Sequence, residues 1–263
     1  EKRSTGGVMM NPSGSRRLEY LEAMGIQAWS LRAPPAAVPE AETSAAAVPA
    51  IPAEEAEALP GVAVPVAELR RRPDVSRLDW DELQAQVAGC TLCELHSSRT
   101  QTVFGVGNRA ADWLVIGEAP GKDEDQQGEP FVGRAGQLLN AMLQAIGLQR
   151  EQVYIANILK CRPPNNRDPK SEEVVCCEPY LLRQIALVKP GIILAVGRIS
   201  AQNLLQTDTP IGKLRGRVHR FRDTGIPLVA TYHPAYLLRS PVEKRKAWQD
   251  LQLAVRTLRE SAS

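Results

Sequence analysis

No apolar run in this 263-residue chain approaches the roughly 20 residues needed to cross a bilayer, which excludes a helical membrane-spanning protein. The N-terminus lacks an apolar h-region, so no secretory signal is expected and the chain reads as intracellular. Net charge is scarce as well. The 32 basic and 30 acidic residues nearly cancel, so total charge singles out no class of partner. Their distribution says more. Residues 1–75 hold 8 basic and 10 acidic side chains, leaving 24 and 20 for the rest, a mildly basic part that permits a nucleic-acid partner without requiring one. A second C-x2-C knuckle is also missing, which weakens a zinc-ribbon reading.

The N-terminal third divides by composition. Residues 1–9 read as a tag remnant, and 16–32 have helical spacing through Leu18, Leu21 and Met24. That segment is either a frayed helix without a role or a partner-binding helix on a tether. Ala33 to Leu69 holds seven prolines, six glutamates and no basic residue, and cannot bury enough apolar surface to offset its ordering entropy. The expected organisation is therefore a tag remnant and short helical segment over 1–32, a disordered linker over 33–75 and one ordered domain over 76–263.

Within that domain strands alternate with helices. Trp113 to Gly117, Val153 to Leu159, Ile192 to Val196 and Leu228 to Thr231 are short continuous apolar runs, the mark of parallel strands buried on both faces. Helices are expected from an Asp79 cap, over 137–146, from a Ser171 cap to about Val188, over 200–205 and from Pro241 onward. The pattern predicts an α/β fold, a three-layer α/β/α sandwich on a four-stranded parallel sheet, preceded by a disordered N-terminal extension. The basic stretch from Gly212 to Phe221 reads as a mobile segment.

The Gly117-Glu118-Ala119-Pro120-Gly121 run breaks the first strand into a tight loop and presents Glu118 at the strand's C-terminal end, where open α/β sheets bind ligands. The loop continues through Glu129-Pro130-Phe131-Val132-Gly133. The strands ending near Asn157 and His233 open at the same edge, so Glu118, Phe131, Asn157 and His233 are expected to converge. Five cysteines favour metal ligation or redox chemistry over disulfides in such a chain. Cys90 and Cys93 form a C-x2-C, Cys161 follows the second strand, and Cys176 and Cys177 lie on the next helix. Zinc and iron–sulfur clusters both accept four thiolates; the irregular spacing suits the cluster better.

These motifs carry a resemblance. From about Leu83 to Leu258 the chain resembles the family-4 uracil-DNA glycosylases, through Cys90-x2-Cys93, Gly117-Glu118-Ala119-Pro120-Gly121, Glu129-Pro130-Phe131-Val132-Gly133, Asn157-x3-Cys161-Arg162-Pro163-Pro164 and His233-Pro234. Residues 1–75 lie outside it. The resemblance implies a monofunctional DNA repair glycosylase of base excision repair, acting on uracil in single- or double-stranded DNA. It implies a [4Fe–4S] cluster on Cys90, Cys93, Cys161 and Cys177, with Cys176 the spare thiol. It implies Glu118 and His233 as catalytic residues and Gly117, Glu118, Ala119, Phe131, Asn157 and His233 as substrate contacts. Glu124 is a second acid able to position water. Lys213, Arg215, Arg217, Arg220 and Arg239 are expected to face DNA, the protein is expected to be monomeric and nucleoid-associated in the cytoplasm, and no membrane partner is expected.

Two other activities compete. A covalently trapping relative would carry a basic insertion with a histidine after the first motif, and Lys122 to Arg134 has neither. A non-catalytic nucleic-acid or polymerase-associated module would have no need of both Glu118 and His233.

Overall fold

The computed structural model describes residues 73–261. The tag remnant, the 16–32 helical segment and the linker up to residue 72 lie outside the described residues. Val75, at the end of the expected linker, is buried against Leu83 and Val87.

Four parallel strands form the centre of the sheet: β2 (Trp113–Gly117), β3 (Tyr154–Asn157), β4 (Ile192–Val196) and β6 (Ile226–Thr231), in spatial order β3-β2-β4-β6. Two short antiparallel edge strands, β1 (Val106–Gly107) beside β3 and β5 (Val218–Phe221) beside β6, complete a six-stranded sheet. The four expected strands are present, and the sheet has two more than the apolar runs indicate. Both additions are edges, where one side needs no apolar neighbour. In β5 only Phe221 is buried. The segment expected to be mobile is thus the short helix α6 (Ile211–Leu214) followed by β5.

Alternation along β2 explains the layers. Trp113 and Val115 face one core with α3 (Arg134–Ala145), α7 (Pro234–Arg239) and α8 (Lys244–Ser261), through Leu139, Met142, Leu237 and Leu251. Leu114 and Ile116 face the other with α4 (Ser171–Val188) and α5 (Arg198–Leu205), through Leu181, Ile185, Ala201 and Leu204. Among the described residues the remaining α-helices are α1 (Trp80–Ala88) and α2 (Lys122–Gln127). Asp79 caps α1 as expected, accepting from the amides of Asp81 and Glu82. Ser171 does not cap α4. It is the first helical residue, and Glu173 instead accepts the amide of Lys170 at 2.8 Å.

Asp250, fully buried on α8, ties the far side of the sheet together. Its carboxylate accepts from Arg215 Nε (3.0 Å) and Nη2 (2.9 Å), from Gly216 N–H (3.0 Å) and from Thr231 Oγ1 (3.0 Å). One acid thereby fixes the start of β5, the end of β6 and α8. Removing it leaves a largely buried guanidinium without its counter-charge. Asp250→Ala is expected to cost about 3 kcal/mol, read as a lower urea midpoint at unchanged slope; a loss within about 0.5 kcal/mol, the range of ordinary surface substitutions, would contradict this role.

Candidate active site

The C-terminal ends of the parallel strands meet at one edge of the sheet. Gly117 pairs with Asn157 across β2 and β3, and Val196 with Thr231 across β4 and β6. The β2–β3 ladder continues past the strands: Ile158 N–H donates to Gly117 C=O and Leu159 N–H to Glu118 C=O, each at 3.0 Å. A cavity of about 920 Å³ opens over this edge. Glu118, Ala119, Phe131, Asn157, His233 and Arg239 line it, so residues more than a hundred positions apart converge as expected.

Gly117 does not itself line the cavity; it lies behind the wall and makes room for it. A Cβ there would stand 2.4 Å from Asn157 Oδ1 and 2.6 Å from Phe131 Cζ. Phe131 adopts φ +54°, a left-handed backbone that costs a residue with a side chain on the order of 1–3 kcal/mol. Its surroundings enforce it. Arg150 donates to the carbonyls of Pro130 and Phe131, and Gly136 leaves space where a Cβ would fall 1.8 Å from Phe131 O. Glu124 clamps the two loops together. Its carboxylate accepts from Val132 N–H (3.0 Å), Gly133 N–H (3.3 Å) and Gly121 N–H (3.1 Å). Glu124 also lines the cavity, with its carboxylate engaged by three backbone donors.

Asn157 is 2% exposed, and its Oδ1 has no hydrogen-bond partner among the described residues. A buried acceptor left unpaired costs on the order of 1–3 kcal/mol. Beside it the Phe131 and His233 rings lie 5.6 Å apart at 30°. His233 caps α7, its Nδ1 accepting from Ala235 N–H at 3.2 Å. The proton of the neutral ring therefore resides on Nε2. Burial, reinforced by the Arg239 charge, lowers the His233 pKa to about 4, so the ring is neutral at physiological pH. Glu118 is shifted the other way. Burial and the negative charge of Asp168 raise its pKa to about 7, against the opposing pull of Arg198. An acid and an imidazole whose environments push them apart in this way are characteristic of a reactive centre.

The loop after β4 also reaches the site, which the motifs do not reveal. Gly197 turns with φ +98°, and Arg198 beyond it binds Asp168 at 2.6 Å. One signal for it exists in the sequence: Gly197 ends an apolar strand just as Gly117 does. Lys122, Arg134, Arg167 and Arg198 line the cavity together with Arg239. Two of the five expected DNA-facing cations are placed elsewhere. Arg215 is held by buried Asp250 with only 13% of its side chain exposed. Arg220 pairs with Pro227 across the antiparallel β5–β6 ladder, toward the opposite end of the sheet from Thr231. Both departures follow from the segment being an anchored helix and strand instead of a loop.

A second, much smaller cavity lies between α1 and α4, ringed by Cys90, Cys93, Cys161, Cys176 and Cys177. Among the described residues no three histidine, cysteine or acidic side chains gather as ligands of a single ion. Thiols spread round a cavity suit a group of several atoms better than one ion. Two sulfurs already accept donors suited to thiolates: Cys161 Sγ from Arg99 Nη1 at 3.1 Å and Cys177 Sγ from Lys160 N–H at 3.2 Å. Cys176 Sγ instead donates to Leu92 C=O at 3.5 Å. Burial raises the thiol of Cys93 to about 11 and that of Cys177 to about 12, so ligation there must displace protons. Lys160, wholly buried, lies between the two cavities. Burial lowers its pKa to about 8, opposed by Cys177 and Cys161.

Comparison with known proteins agrees with this geometry. A family model described as the uracil DNA glycosylase superfamily matches residues 104–252. The type-4 uracil-DNA glycosylase of Archaeoglobus fulgidus is 48% identical over 167 residues, 61% of this chain and 84% of that protein. That of Pyrobaculum aerophilum is 41% identical over 182 residues, 67% and 93% of the two chains, and that of Thermotoga maritima 44% over 156 residues, 59% and 81%. On these matches the chain belongs to the uracil-DNA glycosylase superfamily, in its type-4 family.

Proposed function

We propose that this protein flips deoxyuridine out of DNA and hydrolyses its N-glycosidic bond, releasing uracil and leaving an abasic site. One observation carries the reading: a buried, unpaired Asn157 Oδ1 beside an aromatic face and a neutral histidine. A base stacked in a duplex is unreachable, so the nucleotide must leave the stack. Uracil then offers an N3–H donor and an O4 acceptor, matching the two ends of the Asn157 amide. Cytosine offers the reverse at this edge and would leave buried groups unpaired. Phe131 supplies the stacking face, held in place by Arg150 and Gly136.

In the reaction the C1′–N1 bond breaks with its electron pair leaving on uracil, water adds to C1′, and the proton the water gives up neutralises the uracil anion. His233 Nε2–H donates to the developing charge on uracil O2, and being neutral it strengthens that bond only as charge appears. Glu118, ionised, stabilises the sugar cation and orients the water. Lys213, Arg217 and Arg239 contribute to the DNA-facing surface. Cys90, Cys93, Cys161 and Cys177 would hold a [4Fe–4S] cluster, which when bound supplies covalent cross-links among segments otherwise joined by packing and a few hydrogen bonds. The Lys160 amide on Cys177 supports Cys177 over Cys176 as the fourth ligand.

An oligonucleotide with a single uracil tests the central reading, with free uracil and an abasic strand expected; an intact strand or a covalent adduct would overturn it. In single turnover His233→Ala should lose about 10²–10³-fold in rate with DNA affinity retained. Asn157→Asp should lose uracil selectivity along with rate, because an ionised carboxylate repels O4. The kcat/KM profile should rise with pH through about 7 as Glu118 ionises, with no limb from His233 above pH 5. Glu118→Gln should abolish that limb, and its persistence would remove Glu118 from the role. Purified protein should be brown with about four irons per chain. Cys176→Ser should keep the colour and Cys177→Ser lose it, and stoichiometric zinc without iron would contradict the assignment. Replacing any one of Lys213, Arg217 and Arg239 by alanine should flatten the salt dependence of DNA binding by about one unit of slope; an unchanged slope in the triple alanine variant counts against the surface.

A further inference from the structure

Lys160 is a buried cation that bridges the walls of the two cavities. It is 1% exposed. Its Nζ donates to Asn157 C=O at 3.0 Å and to Gln184 Oε1 at 2.6 Å. Gln184, on α4, is fixed in turn by Phe104 C=O at 3.0 Å and Tyr154 Oη at 3.2 Å. The backbone of Lys160 bonds on both sides, its N–H to Cys177 Sγ and its C=O to Val103 N–H at 2.8 Å. The side chain also lines the thiol cavity. Both Nζ acceptors are neutral oxygens, and the groups of opposite polarity that face it are the sulfurs of Cys161 and Cys177.

We infer that Lys160 is a positioning residue for uracil recognition: anchored in the thiol site, it holds the end of β3 so that the Asn157 amide stays aimed into the substrate cavity. The reason is geometric. Asn157 is the last residue of β3, and its carbonyl turns away from the ladder that carries Ile158 and Leu159 to β2. Without the Nζ bond that carbonyl would be a buried acceptor with one partner fewer, and the cheapest relief is rotation of the peptide that also carries the side chain. The amide sits in narrow quarters: the room beside Gly117 is too small even for a Cβ, which would stand 2.4 Å from Asn157 Oδ1 and 2.6 Å from Phe131 Cζ. A small rotation therefore spoils base recognition before it spoils the fold. A lysine suits the task because its flexible stem reaches along the sheet, and three donors at one point can join the strand end to α4.

The inference rests on Asn157 reading uracil, as proposed above, and the experiment separates the two. Binding is measured with oligonucleotides carrying either 2′-fluoro-2′-deoxyuridine, which resists cleavage, or a tetrahydrofuran abasic analogue that has no base to read. Iron per chain is determined in parallel. Lys160→Met should bind the fluorinated-uracil strand about tenfold more weakly, as expected for the loss of one charged hydrogen bond. Affinity for the abasic strand and iron content should stay unchanged. A purely structural lysine would lower both affinities together, and that result, or full retention of the uracil preference, would overturn the inference. If Lys160→Met loses iron, Gln184→Met decides, because it removes the far anchor of Nζ without touching the thiol ring. The same base-selective loss is expected there, and an intact uracil preference would overturn the inference. Asn157→Ala is the reference arm. If it keeps the preference, the reading of Asn157 has failed; if it loses the preference while both Lys160→Met and Gln184→Met keep it, only the role of Lys160 has failed.

Discussion

The register of β2 against β3 is the constraint on which the site depends. Placing Gly117 opposite Asn157 brings the acid's loop and the amide's strand end to the same level of the sheet. It does so only because position 117 has no side chain. The space a Cβ would take is filled by Oδ1 of Asn157 and the ring of Phe131. The Phe131 ring stands at this wall on a left-handed backbone, which Arg150, Gly136 and the Glu124 clamp hold. The cost of this conformation and of the unpaired Asn157 oxygen is carried by the packed sheet beneath, as expected where function sets local structure against local preference.

Opposed environments at one mouth give the site its electrostatic character. Burial acts on Glu118 and His233 alike by disfavouring charge, yet it raises one pKa and lowers the other because their charged forms have opposite signs. Neighbours then sharpen the difference, Asp168 for the acid and Arg239 for the imidazole. The result near neutral pH is a carboxyl close to its midpoint and a histidine that donates from Nε2 without bearing charge. Arg198, paired with Asp168, opposes the rise at Glu118.

Much of this is legible in the sequence. Four buried parallel strands announce themselves as continuous apolar runs, since both faces must be covered. The loops after them can be assigned to one sheet edge from topology alone. What stays hidden has physical causes. Strand β5 reads Val-His-Arg-Phe, and an edge strand with one buried residue has no apolar run to find. Arg215 looks available for DNA because its partner Asp250 lies 35 residues away, with no local pattern linking them. The clamp made by Glu124 is hidden too, because nothing in the sequence links its carboxylate to the backbone amides of Gly121, Val132 and Gly133. Asp168 and Arg198 escape notice because their effect on Glu118 is through space, between loops of different strands.

The proposed reading turns on what the unpaired Asn157 Oδ1 accepts. A crystal structure of the protein with free uracil bound is the most direct test. Uracil N3–H should donate to Asn157 Oδ1 at about 2.9 Å, with the ring over Phe131 and O2 toward His233 Nε2. Uracil bound outside this cavity, or bound within it while Asn157 Oδ1 stays unpaired, would contradict the role of Asn157 in reading the base.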